Sequence, residues 1–114
     1  MPHIDIDYAD TLSGALDLPA LVAELHPLVV ERVDSVGVGK TFCRSAPAFV
    51  DGGPGAAFVH VTVGILAGRT QGVKAALAED VLALLGKHLS GVEGATYSVE
   101  VRDLDASYRL YPTH

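Results

Sequence analysis

One cysteine in 114 residues is the first scarcity of this chain. Cys43 has no partner, so an intrachain disulfide framework and a cysteine-based zinc site are both excluded. Positive charge is the second scarcity. Eight lysines and arginines stand against fourteen aspartates and glutamates, a formal net charge of −6. That balance excludes a general nucleic-acid binder, while leaving room for a local cationic pocket. Long apolar runs are the third. The chain holds no stretch of 18 apolar residues and no signal-peptide pattern. A soluble, cytoplasmic protein without a membrane span is expected.

Apolar residues as a class are plentiful, at 49% against 19% charged. The length suits one domain over residues 1–114, large enough to fold around its own core. The apolar excess suggests that other subunits cover part of the surface.

The pattern starts at once. In MPHIDIDY, Ile4, Ile6 and Tyr8 alternate with His3, Asp5 and Asp7, as a strand over 2–8 requires. Leu18, Leu21, Val22, Leu25, Leu28, Val29 and Val33 then recur at helical spacing over 17–35. Asp17 suits the N-cap and Pro19 the first turn. Pro27 is expected to kink or locally break this helix. The glycine-rich stretch 36–55 reads as a loop with a short edge strand around 40–50 and a turn at Asp51-Gly52-Gly53-Pro54. Residues 56–66, AAFVHVTVGIL, form the strongest strand, with Val59, Val61, Val63 and Ile65 on one face. A helix over about 70–90 follows, its inner stripe Val73, Leu77, Val81, Leu84, Leu85 and His88. A strand at 96–103 places Val99 and Val101 inward. The tail after it lacks a clear pattern and could pair with a neighbouring subunit.

The order is β-α-β twice, an internal repeat in which Pro2-His3-Ile4 corresponds to Val59-His60-Val61. An α+β fold follows: a four-stranded mixed sheet with both helices on one face, given right-handed crossovers. The other face carries His3, Asp5, Asp7, His60, Thr62, Ser98, Glu100 and Arg102. It either faces solvent directly or lines a water-filled channel in a ring of subunits.

Several segments together resemble the tautomerase superfamily, and within it the 5-carboxymethyl-2-hydroxymuconate isomerases. They are Met1-Pro2-His3 with Asp10, Asp17-Leu18-Pro19 with Pro27, Ala57-Phe58-Val59-His60-Val61-Thr62, and Ala67-Gly68-Arg69-Thr70. The resemblance covers nearly the whole chain. It implies a homotrimer, removal of Met1, and Pro2 as a catalytic base that moves a proton within a small carboxylated enol or dienol. Neither a metal nor an organic cofactor is implied.

The residues supply a rationale of their own. A chain-terminal proline is a secondary amine, and an amine is a base only when neutral. Burial and nearby cations lower its pKa toward the working pH. Arg69, in the turn before the second helix, suits a substrate carboxylate and developing enolate charge. Its bland alternative is a solvated arginine beside a helix start, and the resemblance favours the catalytic role. In the loop after the first helix, relatives carry arginines. Here Val38 and Lys40 align, and Arg44 aligns only with a gap. Lys40 and Arg44 are therefore the candidate substrate-binding helpers, and Lys40 offers a point charge rather than a planar fork.

The remaining candidates weigh less. His3 and His60 share a face with Asp5 and Asp7, yet read as surface or interface groups rather than metal ligands. Cys43 lacks an identifiable base, Tyr8 packs the strand end, and Gly37 and Gly39 lack the context of a phosphate loop. Tyr108 and Tyr111 could reach a neighbour's site. Two alternatives to the tautomerase remain. One is a hydratase or dehalogenase that keeps Pro2 protonated. The other is a non-enzymatic trimeric ligand-binding protein, if Met1 is retained.

Overall fold

The computed structural model describes residues 2–34, 39–50, 52 and 57–112. Four strands and two helices follow the expected order: β1 (His3–Ala9), α1 (Leu18–Arg32), β2 (Lys40–Ala46), β3 (Ala57–Ile65), α2 (Gln71–His88) and β4 (Ala95–Asp103). The sheet runs β2-β1-β3-β4. β1 and β2 are parallel, as are β3 and β4, while β1 and β3 pair antiparallel in the middle. Each half is a β-α-β unit, and the two meet back to back along the β1–β3 seam.

Alternation decides which side of the sheet is covered. Ile4, Ile6, Val59, Val61 and Val63 are all fully buried on the helix side. Opposed to them are Leu21, Leu25 and Val29 from α1 and Leu77, Val81 and Leu85 from α2. Each triplet repeats every four residues, which puts it on one stripe. Full burial of each such side chain contributes about 1.5–3 kcal/mol. β2 and β4 are the edges, and their inward residues Thr41, Cys43, Val99 and Val101 are only half-buried.

The caps explain the helix starts. The Asp17 carboxylate accepts the Ala20 N–H at 3.1 Å, with Pro19 in the first turn. The Thr70 hydroxyl accepts the Val73 N–H at 3.2 Å. α1 ends at Arg32, short of the expected residue 35; Val33 caps it and Asp34 adopts a positive φ of 52°.

Two expectations require correction. Pro27 does not break α1, which runs continuously through it. The ring lies on the solvent side, and the carbonyl of exposed Ala23, which loses its helical donor, is open to water. Val73 does not join the inner stripe of α2; at 46% exposure it faces outward from the first turn. The tail 104–112 forms no strand within the chain. Of the turn expected at 51–54, only Gly52 lies within the described residues.

The face away from the helices is polar, and its groups are largely paired with one another. Arg44 crosses from β2 to Asp7 at 2.9 Å and to Asp5 at 3.3 Å. His60 meets the Ser98 hydroxyl at 2.7 Å, and Arg102 donates to Glu100 at 2.6 Å. No described helix is long and apolar enough to cross a membrane.

Candidate active site

The topology gathers six backbone ends at one edge of the molecule. β1 and β2 start there, β3 and β4 finish there, α1 ends there, and α2 begins there. Pro2, Lys40 and Arg69 all belong to this end.

Pro2 precedes the first residue of β1 and has the helix-side parity of Ile4 and Ile6. Its side chain is fully buried. Its carbonyl accepts the Lys40 N–H at 3.1 Å, which continues the β1–β2 ladder by one step. Gly39 lies directly against the ring. A Cβ on Gly39 would stand 3.0 Å from Pro2 Cγ and 3.2 Å from both Cδ and the Pro2 carbonyl oxygen. The glycine permits a close approach that any side chain would obstruct. Pro2 is therefore held through its carbonyl and its ring.

Arg69 occupies the turn between β3 and α2 and is half-buried. One terminal nitrogen donates to the Leu66 carbonyl at 3.1 Å, and the other to the Val33 carbonyl at the C-cap of α1. A cation suits that position, because helix-end carbonyls lack intrahelical donors and carry partial negative charge. These two bonds use two of the five guanidinium N–H groups and fix the plane of the fork. The start of α2 follows immediately, so its partial positive charge adds to that of Arg69.

Lys40 and Arg44 separate in the structure. Lys40 opens β2 opposite His3, at the same end as Pro2. Its side chain is exposed and has the parity of the polar face. Arg44 lies four residues farther along, about 13 Å at the usual rise of a strand. It pairs with Asp5 and Asp7 and stands over the Phe42 ring, 5.1 Å from its centroid. Val38, the other aligned position, lies outside the described residues.

His3 is the neighbour of Pro2 on the polar face. Its Nε2 lies 2.9 Å from the Tyr108 hydroxyl, and the two rings meet edge to face with centroids 5.2 Å apart. Partial burial, then the charge of Lys40, pull the imidazole pKa below its ordinary value. Tyr108 thus touches its own chain. Burial pushes the Cys43 thiol up, which leaves it a poor nucleophile. Among the described residues, no group of three or more His, Cys, Asp or Glu is placed to hold a metal ion.

The 5-carboxymethyl-2-hydroxymuconate isomerase family model matches residues 2–111. The chain belongs to this family. Membership makes it an isomerase, and its fold is that of the tautomerase superfamily. The crystal structure of a 5-carboxymethyl-2-hydroxymuconate isomerase from Deinococcus radiodurans R1 is 26% identical, with a TM-score of 0.74, covering 96% of this chain and 88% of that one. A 5-carboxymethyl-2-hydroxymuconate delta-isomerase is 18% identical at a TM-score of 0.73, with the same coverages of 96% and 88%. A fused wild-type 4-OT, described as a symmetric trimer, is 23% identical at 0.71, covering 94% of this chain and 89% of that one. The last two likenesses establish fold alone. No curated protein matches the chain in sequence.

Two features of this family member's site escape sequence reading. Gly39 matters through its approach to Pro2, which the sequence marks only as one glycine among twelve. The Val33 carbonyl that holds Arg69 is a backbone atom and has no sequence signal at all.

Proposed function

We propose that this isomerase transfers a proton within a small carboxylated enol or dienol, without a cofactor, using Pro2 as its base. The reading requires removal of Met1, which turns the Pro2 nitrogen from an amide into a secondary amine. Residues 1–114 act as one domain, and three copies assemble into a trimer. The symmetric trimers among the structural neighbours support that assembly.

The observation that carries the proposal is the seating of Pro2. Its ring is buried against Gly39 at the end of the sheet that also holds Arg69 and Lys40. Burial and the two cations both disfavour the ammonium form, so the amine pKa falls toward neutrality. The neutral nitrogen takes the proton from the enol hydroxyl. The oxygen becomes a carbonyl, the double bonds shift by one conjugated unit, and the proton returns to carbon. One O–H bond is lost and one C–H bond is gained, so the reaction is redox-neutral.

Arg69 binds a substrate carboxylate with its remaining N–H groups and stabilises the enolate. Lys40 adds a point charge at the rim. Arg44 serves the substrate less directly, because Asp5 and Asp7 already engage it.

Intact-protein mass and a kinetic assay on 5-carboxymethyl-2-hydroxymuconate test the proposal together. The expected mass lacks the initiator methionine, and Pro2→Ala loses about a hundredfold or more in kcat/KM. Retained methionine, or full activity in Pro2→Ala, would refute the base assignment. The limb of kcat/KM on the acid side should fall as pH drops, since the base is lost on protonation. A rise toward acid would instead indicate the protonated proline of a hydratase or dehalogenase.

A further inference from the structure

The residues after β4 form a hook that the function above does not use. Leu104 extends the ladder by donating its N–H to the Ile65 carbonyl at 2.7 Å. Its side chain then lies over Gly64, where a Cβ would come within 2.9 Å of Leu104 Cδ2. Gly64 has polar-face parity and pairs directly with His3. A tight turn follows. The Asp105 carboxylate accepts the Ser107 N–H at 2.8 Å, and the Asp105 carbonyl accepts the Tyr108 N–H at 2.9 Å. Arg109 closes the turn by donating to the carbonyls of Ala106 and Tyr108. The chain thus passes from β4 across the end of β3, and Tyr108 comes down on His3.

That landing point has a mechanical meaning. His3 is where β1 joins both neighbours, opposite Lys40 on one side and Gly64 on the other. Pro2 lies one residue beyond this junction. It keeps the β2 contact through Lys40, but the paired register with β3 begins only at His3. Strand ends fray unless something ties them down. The hook ties this one from the polar face, while Gly39 and the core hold the Pro2 ring from the other.

We propose that Tyr108 is a positioning residue for the reaction, acting through His3 to hold the first turn of chain that carries Pro2. Gly64 and Leu104 set the path that lets the tail reach it. Its catalytic consequence rests on Pro2 being the base, whereas its mechanical consequence does not.

The test uses the full chain in two independent measurements. The first is amide hydrogen exchange at Lys40, whose N–H is bonded to the Pro2 carbonyl and so reports the seating of residue 2. In Tyr108→Phe this exchange should quicken about three- to tenfold, the worth of one hydrogen bond. Exchange at Val61 in the sheet centre should stay as it was. The second is steady-state kinetics on 5-carboxymethyl-2-hydroxymuconate. In Tyr108→Phe, kcat should fall about three- to tenfold with KM within about twofold, as expected for a displaced base rather than a lost binding contact. A cycle with His3→Ala completes it. The double variant should be no slower than the worse single variant, since both remove one link.

Unchanged Lys40 exchange in Tyr108→Phe, or losses of His3→Ala and Tyr108→Phe that simply add, would overturn the proposal. Activity in Pro2→Ala would defeat the base assignment alone, and the exchange measurement would still decide the role of the hook.

Discussion

The two ends of the sheet are topologically equivalent and chemically opposite. At one end the strands begin or finish with His3, Lys40, Ile65 and Asp103, with Pro2 just outside. At the other, all four strands terminate in alanine: Ala9, Ala46, Ala57 and Ala95. The repeated β-α-β unit makes these ends images of one another. In each unit a strand runs into a helix and returns as a parallel strand. The ends differ in their side chains and in their connections: a 3-10 turn at Asp10–Leu12 follows β1, while a shorter turn holding Arg69 follows β3. The alanine end pairs Ala9 with Ala46 and Ala57 with Ala95, and offers no ionisable group from its strand termini. The other end holds Lys40 and Arg69 at the same edge as the buried Pro2. The repeated scaffold thus presents two related ends, and of their strand termini only one set carries a cation, Lys40.

Breaking the charged end should show the largest effects. After Pro2→Ala, the strongest loss is expected from Arg69→Ala, about a hundred- to a thousandfold in kcat/KM. Arg69→Lys should rescue little, because an ammonium cannot span the Val33 and Leu66 carbonyls and hold a planar carboxylate as well. Steady-state kinetics on both variants checks this.

Next comes Gly39→Ala. Its methyl would press on the Pro2 ring at 3.0 Å, inside ordinary contact distance. Overpacking of this kind destabilises by about 1–3 kcal/mol. A lowered Tm together with a lowered kcat is expected. Alanine at Ala46, at the other end, sharpens the comparison: Ala46→Lys should leave kcat/KM unchanged, although it adds a cation to the sheet.

A smaller effect should follow pH. His3 has its pKa lowered by burial and by Lys40. The unfolded chain therefore binds a proton more readily than the folded one. The stabilisation is complete above about 6.5, the unfolded value, and declines as pH falls from there through the folded pKa. Tm measured across this window should fall toward acid, and His3→Gln should flatten that slope.

Arg44→Ala should do least. Its ion pairs with Asp5 and Asp7 are exposed on the polar face, where such pairs contribute little. Lys40→Ala should lower kcat/KM more than Arg44→Ala does, because only Lys40 shares the end with Pro2. Kinetics on the pair of variants ranks them.

Most of the fold was legible because its signals are local. Ile4, Ile6 and Tyr8 alternate, Leu21, Leu25 and Val29 repeat every four residues, and Asp17 caps its own helix. These patterns depend on neighbours a few residues away. The failures were of another kind. Pro27 reads as a break because its ring removes a donor, but the sequence does not say that the ring faces water. Val73 fits the helical period, yet in the first turn of α2 it stays 46% exposed, while the stripe buried against the sheet begins at Leu77. The site divides in the same way. Pro2 and Arg69 stand out through their types and positions, whereas Gly39 and Tyr108 matter only through what lies across from them.

The sequence alone determined the elements, their order and the buried faces, and it singled out Pro2 and Arg69 as the residues on which the proposed chemistry centres. Each rests on period, capping or residue type, properties that a short window contains. Only the tertiary structure decided that Lys40 shares an end with Pro2 while Arg44 is drawn to Asp5 and Asp7. It alone bound Arg69 to the end of α1 and brought Tyr108 back to His3, 105 residues away. Those outcomes depend on strand register and crossover path, which bring distant residues together without leaving a mark in the local pattern.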